Sequence, residues 1–114
     1  MSLHQPAGYA AFIASLPGTT SNAQWDSLVA KVGGKAFCLL GDATGQLVFK
    51  VGEIAFAGLT EIDGVGQAAY FAKGQWVNVE PGALDEDLLA GYIRESHRLV
   101  AAKLTRKLRA ELGL

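Results

Sequence analysis

Apolar side chains near the N-terminus recur at the spacing of one helical face. The i, i+3, i+4, i+7 pattern is made by Tyr9, Phe12, Ile13 and Leu16. Pro6 suits the first turn of such a helix, and Pro17 ends it, because the residue before a proline disfavours the helical region. The pattern predicts a short amphipathic helix.

A longer apolar stripe lies near the C-terminus, from Leu88 to Leu112. Asp85 is a natural N-cap for it, and we expect Gly91 to allow close packing against a strand. A continuous helix over residues 86–112 would be about 40 Å long. A compact domain of this size is about 34 Å across. The helix must therefore either break or extend beyond the domain with its basic end.

Short apolar runs separated by glycine turns predict strands between the two helices. Residues 28–51 are expected to form a three-stranded antiparallel meander, and residues 68–72 and 75–80 a second hairpin. Residues 53–59 favour a short helix, and residues 19–23 and 64–66 favour loops. We therefore predict an α+β fold, with an antiparallel sheet packed against N- and C-terminal helices. The helical side chains expected to face the sheet are Leu88, Tyr92, Leu99 and Val100.

Composition places the chain among folded globular proteins. Half of its 114 residues are apolar and 18% are charged, which excludes a disordered chain, and a single cysteine excludes a disulfide scaffold. The length predicts one domain over residues 1–114. No segment is apolar enough to span a membrane and the N-terminus does not resemble a signal peptide. With the lone Cys38, these features predict a cytoplasmic protein.

The balance of charge is nearly even, but its distribution is not. Ten basic residues face eleven acidic ones, yet the segment from Arg94 to Arg109 holds six basic residues and one acidic residue. This basic set is suited to phosphate contacts, or it is a solvated helix face that complements the helix dipole. Trp25, Tyr70 and Trp76 could stack on bases, although a tryptophan in a strand is more typical of a core.

No residues in this sequence form a convincing catalytic arrangement. Cys38 lies in an apolar run without a partner and is expected to be a buried hydrophobe. Ser96 and His97 are consecutive on a helix, so their side chains point in different directions. No metal-ligand spacing, cofactor motif or small-molecule site is evident. We therefore predict a protein that is not an enzyme and needs no cofactor.

Several short motifs resemble the MmcQ/YjbR family over nearly the whole chain. They occur in the family's order and are Gly34-Lys35-Ala36-Phe37, Phe49-Lys50-Val51, Trp76-Val77-Asn78-Val79 and Glu95-Ser96-His97-Arg98-Leu99-Val100. Members often have tyrosine where this chain has His97. The TfoX N-terminal domain shares the Gly-Lys-x-Phe and Phe-Lys-Val elements and is the second choice.

The resemblance implies a CyaY-like fold and DNA binding through a double-wing arrangement of hairpins. Lys35 and Lys50 match the family motifs, and the last helix supplies further cations. The expected nucleic-acid-binding residues are Lys35, Lys50, Arg98, Lys103, Arg106, Lys107 and Arg109. The alternative is a non-enzymatic interaction module that docks a protein partner or a second copy through its sheet face or C-terminal helix.

Overall fold

The computed structural model describes residues 2–114. A six-stranded antiparallel sheet, in the order β1-β2-β3-β4-β6-β5, forms the framework. The strands are β1 (Thr19–Gln24), β2 (Ser27–Val32), β3 (Lys35–Gly41), β4 (Leu47–Lys50), β5 (Val65–Gln67) and β6 (Trp76–Val79). The helices are α1 (Pro6–Ala14), α2 (Glu53–Leu59), α3 (Glu86–Ala101) and α4 (Arg106–Glu111). The predicted α+β class and antiparallel sheet are confirmed.

The main core lies between one face of the sheet and helices α1 and α3. Alternating strand residues such as Leu40, Phe49 and Val77 meet Ile13 and Ile93 from the helices, and all five are at most 1% exposed. This arrangement matches the period of two in a strand to the apolar stripe of a helix.

The predicted sheet-facing set of α3 is correct at Tyr92 and Val100 and wrong at Leu88. Val100 is buried and Tyr92 stacks on Phe49 with ring centroids 6.4 Å apart. Leu99 is half-buried, but it is not among the apolar side chains of residues 2–114 that pack on the main core. Leu88 is 55% exposed and lies on the outer face, whereas the next residue, Leu89, is fully buried.

The segment predicted as a loop at residues 19–23 is instead strand β1. It pairs only with β2, so its outer edge faces solvent, and polar residues are the usual choice for such an edge. Thr19 also ends α1, because its hydroxyl donates to the carbonyl oxygens of Ile13 (2.8 Å) and Leu16 (2.9 Å). The meander therefore has four strands rather than three.

The second hairpin starts earlier than predicted. Its first arm is β5, which overlaps the segment 64–66 expected to be a loop, and residues 68–75 form the connection to β6 rather than a strand. The Gln67 side chain closes this connection: its amide nitrogen donates to Ala68 O (2.8 Å) and its oxygen accepts from Gly74 N (3.0 Å).

The C-terminal helical segment breaks, and does not extend beyond the sheet. Thr105 is the N-cap of α4 and its hydroxyl accepts from Leu108 N at 3.1 Å. The break turns Leu104 and Leu108 onto Gly33, in the turn between β2 and β3. Burial of these leucines favours two short helices over one long one. The expected packing of Gly91 against a strand is wrong, since a Cβ there would meet no atom within 4 Å.

Candidate nucleic-acid interface

One end of the sheet collects most of the cations selected from the sequence. Lys35 begins β3 and Lys50 ends β4, and antiparallel pairing of Cys38 with Phe49 puts both at the same end. The Gly33 turn beneath α4 lies at this end too, so it brings in the cations of α4, namely Arg106, Lys107 and Arg109. We call this region the basic end. It also contains Lys103, another of the predicted cations.

Lys50 and Lys103 are neighbours at the basic end. The Lys50 ammonium lies 5.8 Å from the centre of the Trp76 ring and 3.4 Å from Oε1 of Gln75. Partial burial, and next the neighbouring charge of Lys103, lower the pKa of Lys50. Neighbouring like charges repel, and neither lysine forms an ion pair with a carboxylate of residues 2–114. The pair is therefore suited to an anion that contacts both ammonium groups.

The backbone beneath Lys50 is fixed by α3. Ser96 donates from its hydroxyl to the Lys50 carbonyl oxygen at 2.5 Å and also contacts Tyr92 O at 3.0 Å. His97 points elsewhere: its Nε2 lies 2.8 Å from Pro17 O, and its ring meets Phe37 edge to face. Both side chains are buried. Their contacts give them structural roles in separate places, as the helical geometry predicts.

Arg98 differs from the other predicted cations because it is already engaged. Its Nε donates to Glu95 Oε2 at 2.9 Å and its Nη2 to Glu95 Oε1, the one ion pair within residues 2–114. This pairing raises the pKa of Arg98 and lowers that of Glu95. On a single continuous helix, Arg98, Arg106 and Arg109 would share one flank at about 100° per residue, and the break before Arg106 removes that geometry.

The register also adds a lysine that sequence reasoning missed. Lys31 of β2 pairs with Ala36, the residue that follows Lys35. Lys31 therefore belongs to the basic end. It is half-buried on the sheet face opposite the main core. Only the pairing of β2 with β3 reveals this neighbourhood, because nothing near Lys31 in the sequence marks it.

The opposite end of the molecule is acidic. Asp26 and Asp42 lie in adjacent turns, linked by a hydrogen bond from Asp42 N to Asp26 O (3.0 Å). Glu86, at the start of α3, accepts from Ser2 Oγ (2.5 Å) and Leu3 N (3.2 Å). The acids at this end are Asp26, Asp42, Glu80, Asp85, Glu86 and Asp87. The nearly equal numbers of acidic and basic residues therefore conceal two ends of opposite charge.

The three aromatic residues proposed for base stacking have different environments. Trp76 is 9% exposed and lies under Phe71, with ring centroids 4.5 Å apart, as expected for a core tryptophan. Trp25 is 74% exposed and Tyr70 is fully exposed. Both line a groove on the open face of the sheet, away from the basic end.

Cys38 is fully buried beneath α1, as predicted. The hydroxyl of Tyr9 donates towards the carbonyl oxygens of Leu28 (3.0 Å) and Cys38 (3.1 Å). Burial raises the pKa of the Cys38 thiol to about 12 and raises the pKa of Tyr9 as well. A thiol that stays protonated in an apolar site is a poor nucleophile.

No three His, Cys, Asp or Glu side chains of residues 2–114 converge in a way that would hold a metal ion. None of the helices in this part of the chain combines the length and the apolar composition of a membrane span.

Comparison with known proteins gives a family and similar solved structures. The YjbR family model matches residues 14–99. The Deinococcus radiodurans protein DR2400, which has the DUF419 domain, is 25% identical with a TM-score of 0.86 over 95% of this chain and 87% of its own. A Pseudomonas syringae protein is 18% identical with a TM-score of 0.70, over 83% of this chain and 97% of its own, and shows the fold alone. None of the curated proteins compared is significantly similar.

Proposed function

The chain belongs to the YjbR family, and from that membership and its charge arrangement we propose that it binds nucleic acid through phosphate contacts at the basic end. The family match includes Lys35, Lys50 and Arg98, whereas Lys103 and α4 follow it. The proposed contact residues are Lys35, Lys50, Arg98, Lys103, Arg106, Lys107 and Arg109. Contacts of this kind fix the position of a protein on the backbone without reading bases.

The observation that carries this proposal is that Lys50 and Lys103 are neighbours and that neither forms an ion pair with a carboxylate of residues 2–114. A phosphate that contacts both lysines would replace their mutual repulsion by two attractions. Its binding would therefore restore the pKa of Lys50 towards that of an ordinary lysine. Arg98 can contact a phosphate only if its ion pair with Glu95 breaks, so we expect it to contribute less to the binding affinity than the lysines do.

The salt dependence of binding tests the proposal. Three phosphates, one shared by Lys50 and Lys103, one at Lys35 and one at a cation of α4, predict that affinity for a 20-base-pair duplex falls by about 1.6 decades between 50 and 200 mM salt. Lys50→Gln combined with Lys103→Gln should reduce the slope of log K against log salt by about 0.9, and each single substitution should reduce it by less. Because both lysines contact one phosphate, the double variant should lose less affinity than the sum of the two.

Arg94→Gln is the matched control for these substitutions. It removes one positive charge from α3, but Arg94 lies over the Phe12 ring of α1, 5.1 Å from its centre, rather than at the basic end. We expect it to leave the slope unchanged. Equal losses in all three single variants would mean that binding responds to net charge alone. The absence of binding at 50 mM salt would refute nucleic-acid binding altogether.

A second candidate function is self-association through α3, and it is favoured by the outer face of that helix. Leu88 is 55% exposed beside Gly91, and Tyr92 and Glu95 border the same shallow depression. A small residue next to an exposed leucine would let a second helix approach closely. Sedimentation analysis tests this candidate: a dimer should dissociate in Leu88→Glu, whereas a wild-type monomer at high protein concentration would refute it.

A further inference from the structure

A groove on the open face of the sheet is unrelated to the basic end. It encloses about 610 Å³, within the range of about 300–1,000 Å³ typical of small-molecule sites. Leu39, Val48 and Asn78 line it from three neighbouring strands, and Phe71 lines it from the β5–β6 connection. Its position and volume make it a candidate site for a ligand with an apolar body.

The rim of the groove contains residues that folding alone does not explain. Trp25 (φ +51°), Asp26 (+58°) and Tyr70 (+68°) are the non-glycine residues of positive φ among residues 2–114, and all three line this groove. Asn-Gly would make the two-residue β1–β2 turn with less strain. A bulky aromatic residue in that conformation is costly, and Trp25 adopts it with its side chain 74% exposed. Strained residues of this kind concentrate at ligand sites.

Charge restricts what the groove can accept. Asp26 and Asp42 are its two charged residues, no lysine, arginine or histidine lines it, and neither carboxylate has an ion-pair partner within residues 2–114. The faces of tryptophan and tyrosine also attract cations. An anion such as a nucleic-acid phosphate is therefore disfavoured here.

We propose that this groove binds a small organic cation, an amine with an apolar body. The apolar body lies along Leu39, Val48 and Phe71, and the ammonium group meets the Asp26 and Asp42 carboxylates near the Trp25 and Tyr70 rings. This site is independent of the nucleic-acid function, because it lies on the acidic side of the molecule and uses none of the residues of the basic end.

Three probes with the same apolar body test the choice of charge. They are 4-phenylbutylamine, 4-phenylbutan-1-ol and 4-phenylbutanoate, titrated into the ¹⁵N-labelled full chain and followed by amide and indole shifts. The amine should saturate with shifts centred on Trp25, Tyr70 and Asn78, and should bind about tenfold or more tightly than the alcohol, because hydrogen bonds to charged groups are the stronger ones. The anion should bind more weakly than the alcohol.

Matched variants separate the two parts of the site. Asp26→Asn with Asp42→Asn should make the amine and the alcohol bind equally, and asparagine tolerates the left-handed conformation, so the turn is retained. Glu53→Gln with Glu111→Gln removes the same charge elsewhere and should preserve the amine preference. Trp25→Ala should weaken amine and alcohol alike, whereas Ile54→Ala, an apolar residue that is 92% exposed on α2, should weaken neither.

Three outcomes would overturn the proposal. They are an alcohol that binds as tightly as the amine, saturating shifts that lie outside the groove, and no saturation by any of the three probes. The dispersed amide spectrum of each variant establishes that it is folded, so a loss of binding can be assigned to the site.

Discussion

Gly33 and Gly34 form one turn but differ in their neighbours, which makes them a sensitive test of how α4 is held. Both have positive φ, +58° and +80°. An alanine Cβ at Gly33 would lie 2.6 and 2.8 Å from the two methyl carbons of Leu104, and 3.2 Å from Leu108 Cδ2. The same atom at Gly34 would meet nothing within 4 Å. Alanine substitution therefore adds the same methyl group in two environments.

The magnitudes follow from two separate costs. An L residue in the left-handed conformation costs about 1–2 kcal/mol. The φ of Gly34 is farther from the preferred value of about +57° than that of Gly33, so the backbone cost of alanine at Gly34 is at least as large as at Gly33. Gly33→Ala adds overlap with buried Leu104, and overpacking costs about 1–3 kcal/mol. We expect Gly33→Ala to lower the free energy of unfolding by about 1–3 kcal/mol more than Gly34→Ala.

Urea unfolding measured by circular dichroism checks this difference. With a slope of about 1–2 kcal/mol per molar urea, the two midpoints should differ by about 0.5–3 M. Gly33→Ala combined with Leu104→Ala should cost less than the sum of the single variants, because the second substitution removes the methyl groups that overlap. Equal midpoints for the two glycine variants, or strict additivity in the double variant, would refute the packing of α4 described above.

Four further predictions concern other positions. The raised thiol pKa of Cys38 means that the unfolded chain loses this proton first, so between about pH 9 and 12 the free energy of unfolding should fall by up to about 1.4 kcal/mol per pH unit from this group. Cys38→Ala should remove that contribution in alkaline urea titrations, and an unchanged slope would contradict burial of the thiol. Ser96→Ala leaves a carbonyl without its partner and should cost about 1–3 kcal/mol in thermal unfolding, whereas Glu95→Gln, which breaks an exposed ion pair, should cost less than about 1 kcal/mol. Gly91→Ala meets open space on a helix and should stabilise a monomer by about 1 kcal/mol; destabilisation would indicate that something packs there. The lowered pKa of Lys50 should speed its acetylation at pH 8, so Lys103→Gln, which removes the neighbouring charge, and duplex DNA should each slow it; mass spectrometry that finds the rate at Lys50 unchanged by both would contradict this.

Elements with apolar periodicity could be predicted from the sequence, whereas polar ones could not. Helix α3 and strand β4 bury one face each, and burial imposes the period that reveals them, whereas β3 is buried on both faces and is revealed by its apolar run. Strand β1, Thr-Thr-Ser-Asn-Ala-Gln, has almost no buried side chain, because it is an edge strand held mainly by backbone hydrogen bonds to β2. Its sequence therefore resembles a loop. The break in the last helix had one local signal, the N-cap residue Thr105.

The candidate interface could be predicted as a list of cations but not as an arrangement. Lys50 and Lys103 are distant in sequence and meet because β4 ends beside the α3–α4 connection. Lys31 joins them through strand register. The groove was missed because its signal is backbone conformation at Trp25 and Tyr70, which the sequence does not display.

The separation of acidic and basic ends affects how the molecule meets a charged partner in solution. The chain is 40 Å long in its greatest dimension, and the Debye length at 0.1 M salt is about 10 Å. A polyanion near the basic end is therefore screened from most of the distant carboxylates, and the isoelectric point of about 6.1 misrepresents the field it experiences. At low salt, the molecular dipole should also turn the protein during approach, so that productive collisions outnumber those of a randomly oriented particle.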